Sequence, residues 1–212
     1  MRILAIGAHL DDLEVACGGT LAAAARRGHA VRMLVLTGSA YTNLRGQVLR
    51  TAEQALSEGR AAADVLGVPD LRVLAFPSKD VPFDGATAAI KAELADFQPT
   101  LVLTHHPFDS HQAHVGTARA TFAAAKPYKA IWLYEGMQPA GQPMVPFRAD
   151  VYIDIGETLP AKVAALKAHA SQYAKYGEAW VETLEARARC RGFEAGVRHA
   201  EAFEVVRMPL AI

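Results

Sequence analysis

Short apolar runs alternate with alanine-rich segments along most of the chain. The predicted strands cover residues 2–8, 30–38, 70–76, 100–106, 130–136 and 150–155. Apolar residues recur at helical spacing between them, and the predicted helices cover residues 13–28, 50–67, 84–97 and 114–126. Because the strands are almost continuously apolar and helices separate them, the pattern predicts a mostly parallel sheet covered on both faces.

The chain after Glu157 is mostly helical in pattern, and no linker separates it from the rest. A length of 212 residues suits one domain with a full core. We therefore predict a single α/β domain over residues 1–212 with a helical C-terminal portion, and for its sheet we assume the doubly wound strand order 3-2-1-4-5. Residues 39–50 and 137–149 are predicted to be loops.

Composition narrows the classes of partner. Lys and Arg total 22 and Asp and Glu total 22, so no broad electrostatic field favours nucleic acid or an anionic membrane. No apolar run approaches the roughly 20 residues of a membrane span, and no signal-peptide pattern precedes Ile3. Cys17 and Cys190 are far apart, which predicts buried free thiols and not a disulfide. These features favour a soluble cytoplasmic protein.

Two polar clusters follow the first and fourth predicted strands. The first is HLDD at residues 9–12, and the second is THHPFDSHQAH at residues 104–114. In the assumed strand order these two strands are neighbours at the switch point, where ligands bind outside the carboxyl ends. We expect the two clusters to meet there.

A dinucleotide is disfavoured as the ligand of this crevice. Such a site needs the pattern G-x-G-x-x-G after the first strand, so that backbone can approach a pyrophosphate. Residues 7–12 instead carry GAHLDD, and two carboxylates repel phosphate unless a cation bridges them.

A divalent metal accounts better for the clusters. His9, Asp12 and one histidine of residues 104–114 supply two nitrogens and one oxygen, the ligands of an open catalytic zinc site. Zinc lowers the pKa of bound water to about 7, and Asp11 is then free to accept its proton. Helix capping is the alternative, but it accounts for one aspartate and not for both with a histidine.

Longer stretches of the chain resemble the LmbE/PIG-L family of zinc-dependent N-deacetylases. Residues 5–22, AIGAHLDDLEVACGGTLA, resemble the A-H-P-D-D signature and the G-G-T-L that follows it, and HQAH at 111–114 is similar to H-x-D-H. The pattern D-D-L-E resembles the bacillithiol-pathway branch. Residues 59–68 and 154–173 resemble further helices of the family, whose fold is Rossmann-like with three layers.

The resemblance implies a residue assignment and a reaction. His9, Asp12 and His114 would bind Zn²⁺ or another divalent transition metal, and Asp11 would be the general base. His111 would be a protonated histidine near the oxyanion and the leaving amine. The implied reaction removes acetyl from an N-acetylglucosaminyl or related N-acetylated small molecule. Relatives are often oligomeric, so a homo-oligomer is compatible with the resemblance.

Two positions depart from the family pattern. Leu10 stands in place of proline, which concerns turn geometry and predicts little consequence. Ala113 stands in place of the aspartate of H-x-D-H, which predicts a lower pKa and a looser orientation for His111, with Asp109 as a candidate substitute. Two further interpretations therefore stay open: a zinc amidohydrolase of another amide or carbamoyl substrate, and a catalytically weak metal-binding protein.

Several other residues have two interpretations each. His105 and His106 are strand-end histidines bonded to backbone or substrate contacts, and Glu14 supports a metal ligand or forms a surface ion pair. His169 is predicted on a helix surface or an interface. Trp132, Tyr134 and Trp180 are predicted in the core or at subunit contacts. The candidates for an arginine that grips substrate are Arg45 and Arg50.

Overall fold

The computed structural model describes residues 1–137 and 145–209, which form an α/β fold of nine strands and seven helices. The strands are β1 (Arg2–Gly7), β2 (Ala30–Thr37), β3 (Tyr41–Thr42), β4 (Val48–Arg50), β5 (Leu71–Phe76), β6 (Leu101–Thr104), β7 (Ile131–Tyr134), β8 (Val151–Asp154) and β9 (Ala200–Arg207). The helices are α1 (Asp12–Arg26), α2 (Ala52–Leu66), α3 (Phe83–Phe97), α4 (Gln112–Ala124), α5 (Leu159–Ala168), α6 (Ala170–Tyr176) and α7 (Glu178–Ala195).

The central sheet has the order β5-β2-β1-β6-β7-β9-β8 among the described residues. The first five of these strands are parallel, which confirms the assumed order 3-2-1-4-5. All six predicted strands are present, and the C-terminal portion is mostly helical as predicted. The Rossmann-like, mostly parallel fold is therefore confirmed.

Two features of the sheet structure were not predicted. Strand β9 lies in the segment expected to be helical, and it pairs antiparallel with both β7 and β8. Residues 39–50, predicted as a loop, contain the short hairpin of β3 and β4. The other predicted loop, 137–149, falls largely on residues 138–144, which lie outside the described residues.

Alternate residues of β1 face two different helical layers, as the pleat of a strand requires. Ile3 and Ala5 join the core formed with α1, α2 and α5, whereas Leu4 and Ile6 join the core formed with α3 and α4. Apolar residues on both faces explain why the strand is continuously hydrophobic. The structure is thus a three-layer sandwich, as predicted.

Helix α1 is interrupted at Cys17, where φ is −141° and ψ is 16°. Because of the break, the N–H groups of Gly19 and Thr20 donate outside the helix. Both donate to the carboxylate of Glu201, over 3.0 Å and 2.7 Å. Lys162 Nζ donates to the carbonyl of Val15 over 2.8 Å and also to Glu201. Glu201, in β9, therefore caps the N-terminus of the second half of α1. These hydrogen bonds offset the cost of burying its charge.

Two further expectations concern the cysteines and the membrane. Both cysteines are free thiols, as predicted, but only Cys17 is buried; Cys190 is exposed, so the prediction of a buried thiol is wrong there. In the part of the chain that the structure describes, none of the helices combines the length and the apolar character needed to cross a bilayer.

Candidate metal centre

The two polar clusters meet at the carboxyl end of the sheet, as predicted. Strands β1 and β6 are parallel neighbours, so the loops that leave them emerge side by side. Asp12, in the first turn of α1, lies 3.3 Å from His114 in the first turn of α4, measured from Oδ1 to Nε2. Residues that are far apart in sequence thus share one site.

The loop before α1 fixes the orientation of the Asp12 carboxylate. Its Oδ2 accepts hydrogen bonds from the backbone N–H groups of Ala8, over 3.0 Å, and His9, over 2.7 Å. Burial alone would raise the pKa of Asp12, but the neighbouring rings of His114 and His105 hold it well below its ordinary value. Asp12 is therefore a carboxylate with Oδ1 directed toward His114.

His114 lies between two carboxylates. Its Nε2 faces Asp12, and its Nδ1 is 3.1 Å from Asp109 Oδ2, although that contact is not well aligned for a hydrogen bond. Burial lowers the pKa of His114, but the two carboxylates outweigh burial and raise it to about 10. A carboxylate behind a ligating histidine is a common arrangement at metal centres, because it orients the ring.

The backbone carbonyl of Ser78 selects the tautomer of His9. The carbonyl oxygen can only accept, so His9 Nε2, 2.8 Å away, carries the proton. In the neutral ring the lone pair is then on Nδ1, which lies 3.5 Å from Asp12 Oδ2. Both ring nitrogens therefore have defined orientations.

The donor set fits a divalent metal. Ligand atoms that bind zinc tetrahedrally at 2.0–2.1 Å lie roughly 3.3–3.5 Å from one another. Asp12 Oδ1 lies 3.3 Å from His114 Nε2, which matches that spacing, whereas the 3.5 Å contact with His9 Nδ1 is made by the other oxygen, Oδ2. Two groups of three described residues have all ligand atoms within 4.8 Å of one another, namely His9, His111, His114 and Asp12, His105, His114. The chain therefore has a His/Asp group that could hold a metal, and His114 belongs to both groups.

His105 supports the Asp12 loop, and a backbone contact was one of its two interpretations from the sequence. Its Nε2 lies 3.1 Å from both the backbone nitrogen of Ala8 and Asp12 Oδ2, so its tautomer decides whether it accepts the Ala8 N–H or donates to the carboxylate. Its ring stacks on His114 with centroids 4.0 Å apart. Burial, followed by the charge of His114, lowers the pKa of His105 to about 4. The predicted backbone contact is thus present, and the one available signal was the His105-His106 pair at the strand end.

Asp11 belongs to neither three-residue group among the described residues, although it lies beside both. It lines the crevice above the site. Burial and the adjacent Asp12 raise the pKa of Asp11 to about 6. Its backbone has φ of 138°, a region that residues with a Cβ rarely adopt. The two adjacent aspartates thus have opposite pKa shifts and different surroundings.

His111 is the N-cap of α4. Its Nδ1 accepts the backbone N–H of Ala113 over 3.3 Å, so the neutral ring carries its proton on Nε2. Its pKa is lowered, as the replacement at 113 predicts, but burial and the rings of His114 and His9 are the causes. These surroundings favour a neutral ring, whereas the resemblance implied a protonated one.

Asp109 contacts a different histidine from the one expected. Its Oδ2 faces the ring of His114, and among the described residues its Oδ1 accepts the backbone N–H of His111, over 2.8 Å, and no other. It therefore does not replace the family aspartate as a partner of the His111 ring. Ala113 is fully buried and belongs to the core formed with α3 and α4.

A crevice of about 350 Å³ opens above the site. Aromatic and basic side chains form part of its wall, among them Tyr41, Tyr134, Lys175, Tyr176 and Trp180. Tyr134 and Trp180 are buried as predicted but also face the crevice. Trp132 belongs to the core and packs against Phe203.

The predictions for His169 and Glu14 are corrected by the structure. His169 is fully buried at the junction of α5 and α6, where the chain turns its ring inward. Its Nδ1 accepts from Arg50 Nη2 over 3.1 Å, and its Nε2 lies 3.3 Å from Glu14 Oε1. Glu14 is likewise buried, so it forms no surface ion pair. Of the two candidate arginines, Arg50 lines the crevice, whereas Arg45 is exposed in the hairpin turn.

Comparison with known proteins adds independent evidence. The profile of the PIG-L family, described as GlcNAc-PI de-N-acetylase, matches residues 4–125. Diacetylchitobiose deacetylase of Thermococcus kodakarensis is 25% identical, over 97% of this chain and 83% of that protein. A 1D-myo-inositol 2-acetamido-2-deoxy-alpha-D-glucopyranoside deacetylase of Mycobacterium sp. (strain KMS) is 30% identical, over 81% and 74%.

A solved structure of low identity shares the fold. The hydratase GalB of Pseudomonas putida KT2440 superposes with a TM-score of 0.83 at 19% identity, over 100% of this chain and 98% of that chain. That likeness concerns the fold alone, because one fold supports several reactions. The matched profile spans more than half of the sequence and includes residues 9–12 and 111–114. This chain belongs to the PIG-L family.

Proposed function

We propose that the protein is a metal-dependent N-deacetylase of an N-acetylated amino sugar or a related small molecule. One observation carries the proposal: two adjacent aspartates have separate surroundings at one crevice. Asp12 Oδ1 lies 3.3 Å from His114 Nε2, the spacing of neighbouring metal ligands, and Asp12 Oδ2 lies 3.5 Å from His9 Nδ1. Asp11 lines the crevice outside that group, with its pKa raised to about 6. A pair of carboxylates with pKa values moved apart is typical of separate ligand and base assignments.

The residues proposed to hold the metal are His9, Asp12 and His114. Zn²⁺ suits two imidazoles and one carboxylate, and other divalent transition metals accept the same donors. The metal, when bound, polarises the acetyl carbonyl and lowers the pKa of water. Asp109 and His105 would keep the His114 ring and the Asp12 carboxylate in place, from 3.1 Å each.

Asp11 is the proposed general base. It accepts a proton from the attacking water while the water oxygen bonds to the acetyl carbon. It then returns that proton to the amide nitrogen as the C–N bond breaks, which releases acetate and a free amine. His111 presents Nε2–H to the crevice in its neutral tautomer and can donate to the carbonyl oxygen as negative charge develops there. Protonation of His111 is not required for that donation.

The crevice is large enough for a small sugar derivative. A volume of about 350 Å³ is at the small end of ligand pockets. Tyr176 is partly exposed at the wall and Trp180 lies beside it, so an aromatic face is available for a sugar ring. Both relatives described above are named for amino sugar substrates. The cytoplasm is the proposed location, because both cysteines are free thiols.

Metal analysis followed by an acetate-release assay tests the proposal. We expect about one metal per chain and release of acetate from one or more N-acetyl amino sugars in a panel. Turnover of an N-carbamoyl or other amide, with none of the N-acetyl sugars cleaved, would favour the amidohydrolase interpretation of the sequence. Bound metal with no turnover of any amide would indicate the catalytically weak metal-binding protein.

A further inference from the structure

Leu10, the residue between His9 and Asp11, is held on three sides. Its N–H donates to Ser39 Oγ over 2.8 Å, and its carbonyl accepts from Arg50 Nη1 over 2.9 Å. Its side chain is 2% exposed and packs against Gly59 of α2. A Cβ at Gly59 would lie 2.4 Å from Leu10 Cδ2, so the packing leaves no space for a larger residue. Backbone and side chain of Leu10 are thus both restrained.

The next residue needs such restraint. Asp11 has φ of 138°, and a residue with a Cβ persists in that region only when its surroundings determine the conformation. On its C-terminal side, the carbonyl of Asp11 accepts the N–H of Val15 over 2.9 Å, within the first turn of α1. On its N-terminal side the restraint comes through Leu10. Without the contacts of Leu10, Asp11 would change to a more favourable φ, and its carboxylate would move.

The two groups that bond Leu10 are themselves fixed. Ser39 is buried with φ of 58°, and its backbone N–H donates to Thr37 Oγ1 over 3.2 Å at the end of β2. Arg50 is 2% exposed and donates to Glu58 over 2.9 Å and to His169 over 3.1 Å. Ser39 therefore fixes Leu10 relative to the end of β2, and Arg50 fixes it relative to α2 and the junction of α5 and α6.

We propose that Ser39, Gly59 and Arg50 are positioning residues, which hold Leu10 so that Asp11 directs its carboxylate into the crevice. The catalytic part rests on the proposed function, whereas the restraint on the turn does not. Proline, which stands at this position in the related motif, has no N–H and restrains its own φ covalently. In this chain the bond to Ser39 and the packing on Gly59 supply the restraint instead.

A double-mutant cycle of Ser39→Gly and Leu10→Pro tests the hydrogen bond. Glycine removes the hydroxyl and adopts φ of 58° without strain, and proline removes the N–H. With Leu10 present, we expect Ser39→Gly to lower kcat about tenfold or more, with KM and metal content unchanged, because a displaced base reacts poorly. In the Leu10→Pro background, the same change should leave kcat unaltered. Equal losses in both backgrounds, or a change in KM alone, would overturn the proposal.

The melting temperature gives a readout that does not depend on activity. Ser39→Gly should lower Tm by a few degrees when residue 10 is leucine and by less than about one degree in the Leu10→Pro background. If the unmutated protein cleaves no amide but the Tm cycle shows this coupling, the proposed function fails and the restraint stands. If the enzyme is active and neither cycle shows coupling, the restraint is wrong.

Gly59→Ala is a second test, which leaves the Ser39 and Arg50 bonds to Leu10 in place. It can be used even if the Leu10→Pro variant does not fold. The added methyl must displace the Leu10 side chain, so we expect a lower kcat with unchanged metal content. Gly85→Ala in α3 is the matched control, because its Cβ would make only ordinary contact, at 3.4 Å from Phe76. A Gly59→Ala enzyme with the same kcat as the Gly85→Ala enzyme would contradict the proposal.

Discussion

Two buried groups of charged residues lie along helix α1, and they differ in how their charges are satisfied. At the interruption of α1, Glu201 accepts from the N–H groups of Gly19 and Thr20, and Lys162 neutralises it. At the start of α1, Asp12 lies among the rings of His105 and His114, with His9 and His111 adjoining them. The first group is enclosed, whereas the second opens to the crevice.

The difference shows what marks a functional site. Burying a charge is costly, and in the Lys162–Glu201 group the protein's own donors and acceptors offset that cost. In the other group, imidazoles crowd together with ring centroids 4.0–5.3 Å apart, and possible ligand atoms of three residues at a time lie within 4.8 Å of one another. Such a group could hold a metal ion. Burial of charge alone therefore does not identify a metal site. A group of histidine and aspartate ligand atoms beside an open crevice does indicate one.

The largest expected effect separates the two adjacent aspartates, Asp11 and Asp12. Asp11→Asn should lower kcat by roughly 10²–10⁴, because the amide cannot accept the proton, while metal content stays near that of the unmutated protein. Asp12→Asn should lose both metal and activity. Metal analysis and acetate release on both variants are the measurements. An Asp11→Asn enzyme with the original rate would show that another group is the base.

The Lys162–Glu201 group should affect the free energy of unfolding and not the rate of the reaction. Glu201→Ala leaves Lys162 and two N–H groups buried without their partner, so the free energy of unfolding should fall by about 3–5 kcal/mol. Activity per folded molecule should change little. Urea denaturation followed by fluorescence measures the loss, and a Lys162→Met, Glu201→Leu pair serves as the isosteric control. A large loss of kcat without destabilisation would contradict the comparison.

Added metal should stabilise the folded protein by binding the His/Asp group at the start of α1, and not the Lys162–Glu201 group. Zinc at about 100 times its Kd should raise the free energy of unfolding by about 2.7 kcal/mol, because it binds the folded chain. The same addition to His114→Ala should have little effect, since that residue belongs to both candidate ligand groups. Thermal unfolding with and without zinc gives the comparison. Equal stabilisation of the variant would exclude His114 as a ligand.

The smallest expected effect concerns Asp109. Asp109→Asn removes the charge 3.1 Å from His114 Nδ1 but keeps the shape, so metal affinity should fall roughly 10- to 100-fold. Competition with a chelator measures that affinity. Asp84→Asn, at the first turn of α3, is a control for loss of a carboxylate elsewhere. An unchanged affinity in Asp109→Asn would mean that the ring of His114 is oriented by other contacts.

Several parts of the site could be predicted from local signals. The strand ends at Gly7 and Thr104 are followed directly by polar clusters, and the neighbouring order of the two strands brings those clusters together. The contact of Asp109 with the ring of His114 could not be predicted in this way. It depends on how the loop before α4 folds, which has no repeating pattern.

The sequence by itself determined the six predicted strands and the HLDD and HQAH clusters, because apolar periodicity and strand ends are properties of neighbouring residues. The order of the first five strands was assumed from the doubly wound fold, and the structure has that order. Only the tertiary structure decided the surroundings of Glu201, His169 and Arg50. Glu201 caps an N–H group 182 residues away, and His169 contacts an arginine 119 residues away. A charged residue is buried when such distant partners offset its desolvation, and no local pattern records them.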